Sequence, residues 1–199
     1  MLNVGLTGNI AAGKSAVVEL FRRWGATVID ADQIVRELQA LGGPVLREIT
    51  GRFGHRVLSA DGSLDRAALR RLVLADPEAL AALNRIVHPA VHARRAELMA
   101  AARARGDHLV VSDIPLLFEA SDPSEFDVVV LVDAPEAVRL TRLVVERGLD
   151  QDEARRMIEA QMPAADKRAR SDFVIENGGD LAQLELAARA VWRALQSRA

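Results

Sequence analysis

Gly8-Asn9-Ile10-Ala11-Ala12-Gly13-Lys14-Ser15 follows the apolar stretch Leu2 to Leu6 and precedes a helical periodicity that extends to Trp24. This octapeptide, called the phosphate loop below, fits the pattern G-x-x-x-x-G-K-[ST], which is typical of phosphate-binding loops between a strand and a helix. The backbone N–H groups of such a loop and the N-terminus of its helix point toward an anion. The sequence therefore predicts a strand–loop–helix unit that binds a nucleotide.

Individual side chains of the loop have predicted roles. Lys14 is expected to reach the β- and γ-phosphates, and the Ser15 hydroxyl is expected to ligate Mg²⁺. The other loop residues and the next helical residue contribute backbone contacts. The predicted nucleotide-binding residues of this segment are Gly8, Asn9, Ile10, Ala11, Ala12, Gly13, Lys14, Ser15 and Ala16.

Short apolar runs alternate with helical stretches along the chain, and continuous Val/Leu runs are typical of buried parallel strands. The predicted strands are Leu2 to Leu6, Thr27 to Ile29, His108 to Val111, Asp127 to Val132 and Phe173 to Ile175. Leu181 to Leu195 has the pattern of a closing amphipathic helix. The alternation predicts an α/β fold, with a five-stranded parallel sheet covered by helices on both faces.

Two helical excursions interrupt this alternation. The first, from Ile34 to Arg105, is almost entirely helical, and we expect it to lie over the carboxyl edge of the sheet. The second, from Gly148 to Arg170, is rich in charge. We therefore predict a single domain with a core of residues 1–33, 106–145 and 171–199, a helical insertion at 34–105 and a second helical segment at 146–170.

The composition excludes several classes of function. The 199 residues include no cysteine, which rules out thiolate metal sites, cysteine nucleophiles and disulfides. A net charge of −2 and 4% aromatic residues argue against a nucleic-acid-binding protein. Since no segment reaches the roughly 18 apolar residues of a membrane span, we expect a cytoplasmic protein without a membrane partner.

Acidic residues follow two of the predicted strands. Asp30 and Asp32 come after the second strand, and Asp113 comes after the third. Ligands of open parallel sheets bind beyond the carboxyl ends of the strands, where a carboxylate can accept a hydroxyl proton or hold the water shell of a metal. The alternative for each aspartate is a helix N-cap, which Asp also favours.

Seven motifs, in order along nearly the whole chain, resemble the dephospho-coenzyme A kinase family. They are Gly5-Leu6-Thr7-Gly8 with Gly13-Lys14-Ser15, Val28-Ile29-Asp30-Ala31-Asp32, Asp61-Gly62-Ser63-Leu64-Asp65-Arg66, Ile86-Val87-His88-Pro89, Asp113-Ile114-Pro115-Leu116-Leu117-Phe118-Glu119, Gln161-Met162-Pro163 and Asp172-Phe173-Val174-Ile175-Glu176-Asn177-Gly178. The resemblance implies transfer of the γ-phosphoryl group of ATP to the ribose 3′-hydroxyl of dephospho-coenzyme A. It also implies a three-layer P-loop kinase fold, in which 34–105 binds the acceptor and 146–170 is a lid.

The resemblance also implies roles for residues outside the loop. Asp32 corresponds to the carboxylate that orients or deprotonates the acceptor hydroxyl. The resemblance further implies that the acceptor-binding residues include Asp32, His88, Leu116, Leu117 and Glu119. Asp113 is predicted to join them from its position after the third strand, as a carboxylate on the metal or the acceptor side. Pro89 is expected to place His88 at the entry of a helix.

Cationic side chains are expected to stabilise the transferring group, since phosphoryl transfer depends on positioning and charge. Arg142 and Arg147 match the lid-proximal arginines of the family and are predicted to be catalytic together with Lys14 and Asp32. Arg142 and the Asn177-Gly178 loop after the last strand are also expected to contact ATP. Lys167, the second of only two lysines, is either a phosphate contact or a surface residue.

The loop departs from the usual family sequence at four positions, namely Asn9, Ala11, Ala12 and Ala16. Backbone N–H groups survive these changes, whereas the hydroxyl lost at Ala16 is expected to weaken contacts with the α-phosphate. An alternative function is another P-loop nucleoside, nucleotide or small-metabolite kinase. A nucleotide-dependent switch is a second alternative, although the Asn-Lys-x-Asp motif of guanine-specific switches is absent. We expect a monomer or a weak homo-oligomer.

Overall fold

A five-stranded parallel sheet forms from the apolar runs that the sequence predicts. The computed structural model describes residues 1–199, apart from the side chain of Ala120. The strands are Leu2–Gly8 (β1), Thr27–Asp30 (β2), Leu109–Asp113 (β3), Val128–Asp133 (β4) and Phe173–Glu176 (β5), in the order β2-β3-β1-β4-β5. The predicted α/β fold with a parallel sheet is confirmed.

Helices occupy the segments between the strands. They are Lys14–Arg23 (α1), Ala31–Leu38 (α2), Pro44–Phe53 (α3), Arg66–Leu74 (α4), Pro77–Arg105 (α5), Leu117–Ala120 (α6), Glu136–Thr141 (α7), Gln151–Glu159 (α8), Ala164–Ala169 (α9) and Leu181–Gln196 (α10). Short 3₁₀ turns cover His55–Val57 and Pro123–Glu125, and a π-helical turn covers Arg142–Glu146. Among the described residues, no helix has both the length and the apolar character needed to cross a membrane.

Strand β1 lies between β3 and β4 and is buried on both faces. In the register of these pairs, Leu6 is opposite Asp113 of β3 and Gly8 is opposite Val132 of β4. The three strands therefore end at the same edge of the sheet. From this edge the connection after β1 runs to β2 on one side of β1, and the connection after β3 runs to β4 on the other side. Ligands of open α/β sheets bind where connections diverge in this way, so the phosphate loop after β1 has the position that the fold favours.

Helices α1 and α10 cover one part of the sheet through an aromatic cluster. The ring of Phe21 lies 6.0 Å from that of Trp24 and 5.4 Å from that of Trp192, and the two Trp rings are 5.9 Å apart. Such tilted pairs contribute about 0.5–1.5 kcal/mol beyond the burial of their area. This cluster fixes α1, and with it the helical end of the phosphate loop, against the sheet.

The chain divides into two compact units. One comprises Met1–Ile29 and Ala102–Ala199, and the other comprises Asp30–Ala101. The second unit has a separate apolar core, which includes Ile49, Phe53 and Val57. The assignment of residues 34–105 to acceptor binding and of 146–170 to a lid remains a prediction.

Pro89 lies inside α5, which continues from Pro77 to Arg105. The prediction that His88 stands at a helix entry is therefore wrong, because residues before and after Pro89 belong to one helix. Proline removes one backbone hydrogen bond in a helix interior and favours a kink. The apolar contacts of Val87, Ala90 and Val91 in the core of the second unit stabilise the helix across this position.

Candidate active site

The phosphate loop makes a tight turn between β1 and α1. The Ala12 N–H donates to the Asn9 carbonyl at 3.0 Å, which closes a four-residue turn with Ala11 at a φ of 57°. Gly13 follows with a φ of 89°, and a Cβ atom there would overlap Asn177 Nδ2. Glycine is required at position 13 for both reasons, whereas Ala11 is an L-residue in a conformation that favours glycine.

Side chains from distant parts of the chain bond to this turn. The Asn9 amide donates to Asp133 Oδ1 at 2.8 Å, and the Asn177 amide donates to the Ala12 carbonyl at 2.7 Å. Arg142 donates to the carbonyl oxygens of Ala11 and Asn177, at 3.1 Å each. A strained backbone persists where its surroundings determine it from several sides, and these bonds meet that condition.

Relief of the strain at Ala11 gives a testable prediction. We expect Ala11→Gly to raise the free energy of unfolding by about 0.5–1 kcal/mol, since the αL cost removed exceeds the added chain entropy of glycine. Ala190→Gly, in the exposed interior of α10, is the matched control and should lower it by about 1 kcal/mol. Urea denaturation measures both, and destabilisation by Ala11→Gly would contradict the strain argument.

Lys14 and Asp113 form an ion pair at the carboxyl edge of the sheet. The ammonium group of Lys14 donates to Asp113 Oδ1, and their side chains are 15% and 12% exposed. The structure thus brings together two residues that the sequence assigns to the reacting phosphates and to the acceptor or metal side. Ser15, in the first turn of α1, is exposed.

A cavity of about 780 Å³ adjoins the phosphate loop. Gly13 and Ser15 of the loop line it, together with the cationic side chains Arg142 and Arg147. Asn177 and Gly179, from the segment after β5, complete this part of the lining. The volume falls within the range of small-molecule and cofactor sites. Five predicted ATP-site residues besides Arg142 therefore line one cavity, namely Ala11, Gly13, Ser15, Ala16 and Asn177.

Arg142 begins the π-helical turn and directs its guanidinium toward the loop. Such turns are frequent at functional sites because they change which residues share a helix face. Arg147, just after the turn, is exposed. Asn177 is buried, and its side-chain amide donates to the Ala12 carbonyl. A Cβ atom on Gly178 would lie 3.1 Å from the ring of Pro135. The predicted contacts of Asn177 and Gly178 with ATP remain predictions.

The segment after β3 is held by an ion pair. Glu119 Oε1 lies 2.7 Å from Lys167 Nζ and accepts from the Met162 N–H at 3.2 Å. Lys167 is fully buried, so the prediction of a surface residue is wrong for it. Leu117 is fully buried and Leu116 is 43% exposed. The roles of Leu116, Leu117 and Glu119 in acceptor binding remain predictions.

The second unit carries the remaining predicted site residues. Asp30 caps α2, since its Oδ1 accepts from the Gln33 N–H at 2.9 Å, which confirms the N-cap alternative for this residue. Asp32 lies in the first turn of α2 and His88 lies within α5, and both are exposed. Their catalytic and acceptor-binding roles remain predictions.

Asp133, Arg168 and Gln161 contact the loop or its neighbours, and none of them is among the predicted site residues. Asp133, at the end of β4, accepts from Asn9 and, through Oδ2, from Arg168 at 2.9 Å. Hydrogen bonds to Glu176 and Asp133 raise the pKa of the Arg168 guanidinium above its usual range. Gln161 Oε1 accepts from the Ile10 N–H at 2.8 Å. An aspartate after a buried strand was itself the signal that could have identified Asp133.

A lysine held by such a loop at the carboxyl edge of a parallel sheet places the protein in the P-loop nucleotide-binding class. The model of the dephospho-CoA kinase family matches residues 2–183. The chain belongs to the dephospho-CoA kinase family.

Individual dephospho-CoA kinases and one solved structure are similar to this chain over nearly its whole length. The dephospho-CoA kinase of Thermobifida fusca is 44% identical over 198 residues, which cover 100% of this chain and 98% of that protein. The dephospho-CoA kinase of Streptomyces avermitilis is 47% identical over 199 residues, covering 100% and 96%. A crystal structure from Thermus thermophilus, 40% identical, superposes with a TM-score of 0.82 over 96% of each chain.

Proposed function

We propose that the protein transfers the γ-phosphoryl group of ATP to the ribose 3′-hydroxyl of dephospho-coenzyme A, which gives coenzyme A and ADP in the last step of coenzyme A synthesis. The observation that carries the proposal is the pairing of Lys14 of the phosphate loop with Asp113, together with the cavity that the neighbouring loop residues Gly13 and Ser15 line. Membership of the dephospho-CoA kinase family supports the choice of acceptor.

In the proposed reaction, the 3′-oxygen forms a bond to the γ-phosphorus while the bond from that phosphorus to the β–γ bridging oxygen breaks. Asp32 orients the hydroxyl and accepts its proton, and ADP leaves with the bridging oxygen. Lys14, Arg142 and Arg147 stabilise the negative charge of the transferring group. Positioning and charge stabilisation of this kind account for most of the catalysis in phosphoryl transfer.

The loop fits a magnesium ion held mainly by the nucleotide. Ser15 is exposed in the first turn of α1 and lines the cavity, which leaves its hydroxyl available as a ligand beside ATP oxygens and water. Bound Mg²⁺ would neutralise charge on the β- and γ-phosphates. Among the described residues, no group of three or more His, Asp or Glu side chains is placed to hold a metal ion without the nucleotide.

Removal of the Ser15 hydroxyl tests this assignment. We expect Ser15→Ala to raise the Mg²⁺ concentration for half-maximal turnover by about ten-fold, the equivalent of one lost ligand interaction of about 1.4 kcal/mol. Ser15→Thr keeps the hydroxyl and should stay within about three-fold of the parent protein. Turnover titrated with Mg²⁺ at fixed ATP measures both, and equal midpoints for Ser15→Ala and the parent would remove Ser15 as a ligand.

The reaction itself is tested by ADP release from Mg-ATP with and without dephospho-coenzyme A. Acceptor-dependent release, with one phosphate added to the acceptor in the mass spectrum, is the expected result. The rival function, a different P-loop nucleoside, nucleotide or small-metabolite kinase, predicts release with another hydroxyl acceptor instead. A panel of nucleosides and nucleoside monophosphates therefore separates the two, and no stimulation by dephospho-coenzyme A with intact ATP binding would overturn the proposed acceptor.

We further propose that the protein acts in the cytoplasm as a monomer or a weak homo-oligomer, without a nucleic-acid or membrane partner. Its two proposed substrates are charged, water-soluble nucleotides, which suits this setting. Light scattering on a chromatographed sample measures the oligomeric state directly.

A further inference from the structure

The phosphate loop is bonded to a side chain from the predicted lid segment. The Ile10 N–H donates to Gln161 Oε1 at 2.8 Å, across 151 positions of the sequence. Gln161 lies between α8 and α9, just after Glu159 ends the first of these helices. Its backbone N–H donates to the Ile158 carbonyl at 3.2 Å, so the residue is anchored to α8 while its side chain reaches the loop.

The bonded N–H is at a sensitive position of the turn. Ile10 and Ala11 are the two central residues of the turn that the Ala12 N–H and the Asn9 carbonyl close. The Ile10 N–H belongs to the peptide plane that enters this pair, so a bond to it restrains the φ of Ile10 just before the strained Ala11. Because a φ of 57° costs an L-residue such as Ala11 free energy, we expect the loop to have relaxed alternatives in which its N–H groups would no longer point together toward an anion.

The other hydrogen bonds to the turn do not duplicate the contact that Gln161 makes. Asn177 and Arg142 bond to carbonyl oxygens of Ala12 and Ala11, and Asp133 bonds to the side chain of Asn9. Gln161 differs from these because it accepts from a backbone N–H at the centre of the turn.

We propose that Gln161 is a positioning residue for ATP: its side-chain carbonyl holds the phosphate loop in the conformation that binds the phosphates. The proposal rests on the nucleotide site of the proposed function and is independent of the acceptor. A ligand that binds one conformation has its apparent affinity reduced by the population of that conformation. If loss of the bond lowers that population to about a tenth, ATP affinity falls about ten-fold.

Calorimetric titration of Gln161→Leu with Mg-ATP, in the absence of any acceptor, tests this directly. We expect a Kd about ten-fold above that of the parent protein, with adenosine, which lacks phosphates, bound within two-fold of the parent. The matched control is Gln151→Leu, the same change at an exposed residue at the start of α8, and it should bind Mg-ATP like the parent. Gln161→Asn, whose shorter side chain does not reach Ile10, should follow Gln161→Leu.

The amide resonance of Ile10 supplies a readout that general destabilisation would not move. In ¹⁵N–¹H spectra we expect it to shift upfield and to exchange faster in both Gln161 variants, with core amides of β1 unchanged. An unchanged Ile10 resonance, an unchanged Kd for Mg-ATP, an equal loss for adenosine or an equal loss in Gln151→Leu would each overturn the proposal. A parent protein that binds Mg-ATP but does not phosphorylate dephospho-coenzyme A would overturn the proposed acceptor and leave this result intact.

Discussion

Asp32→Asn is expected to lower kcat by about 10²–10³-fold while the Kd for Mg-ATP changes by less than two-fold. The reason is the loss of the carboxylate that we propose accepts the hydroxyl proton, since general base catalysis contributes about 10²–10⁴-fold. The side chain is exposed in the first turn of α2, so the change removes no buried contact. Steady-state turnover with saturating dephospho-coenzyme A, together with ATP binding by calorimetry, measures the two quantities separately.

Asp30→Asn is the matched control for that variant. It removes a carboxylate two residues earlier, but asparagine caps a helix about as well as aspartate, so α2 should remain intact. We expect turnover within about three-fold of the parent protein, because Asp30 Oδ1 already accepts a hydrogen bond from the Gln33 N–H and so serves as a helix cap. Near-normal turnover of Asp32→Asn, or an equal loss in Asp30→Asn, would show that Asp32 is not the proton acceptor.

Glu119→Leu is expected to lower the free energy of unfolding by about 3 kcal/mol or more. The substitution leaves the fully buried Lys167 ammonium without the carboxylate that lies 2.7 Å from it, and an uncompensated buried charge costs about 3–5 kcal/mol. Lys167→Met should cost less, about 1–2 kcal/mol, because Glu119 is 24% exposed and its carboxylate still reaches water. Urea denaturation at neutral pH measures both values.

The double variant Glu119→Leu with Lys167→Met provides the sharper test. With both charges removed, two apolar side chains of similar size replace the pair, and we expect it to be more stable than Glu119→Leu alone. Glu159→Leu, at an exposed position of α8, should stay within about 0.5 kcal/mol of the parent. Additive losses in the double variant would mean that the pair does not stabilise the segment after β3.

The three central strands could be predicted from the sequence because they are continuous apolar runs buried on both faces, whereas the edge strands β2 and β5 are short and only partly buried. The predicted run Asp127 to Val132 and the observed strand Val128–Asp133 differ by one residue at each end. The order β2-β3-β1-β4-β5 could not be predicted in the same way, because every strand is apolar and none shows a preferred neighbour. The position of the phosphate loop was predictable too, because its sequence pattern includes Gly13 at the point where the turn before α1 requires glycine.

Pro89 and Lys167 show where local reasoning fails. A proline normally marks a helix start, but apolar packing in the second unit outweighs the lost hydrogen bond and α5 continues through it. Lysine is normally a surface residue, yet the Lys167 ammonium is buried beside Glu119, which lies 48 positions earlier in the chain. Both outcomes depend on long-range contacts, which no sequence window contains.

The distribution of lysine has a practical meaning for labelling chemistry. Lys14 and Lys167 are the only lysines of the chain, and the second is fully buried. Acylating reagents that modify lysine in the folded protein therefore reach one side chain, the 15% exposed Lys14 of the phosphate loop. Acylation of that single lysine, followed by peptide mass, would test the proposed nucleotide site without any engineered probe, because a nucleotide bound over the loop should slow acylation at position 14.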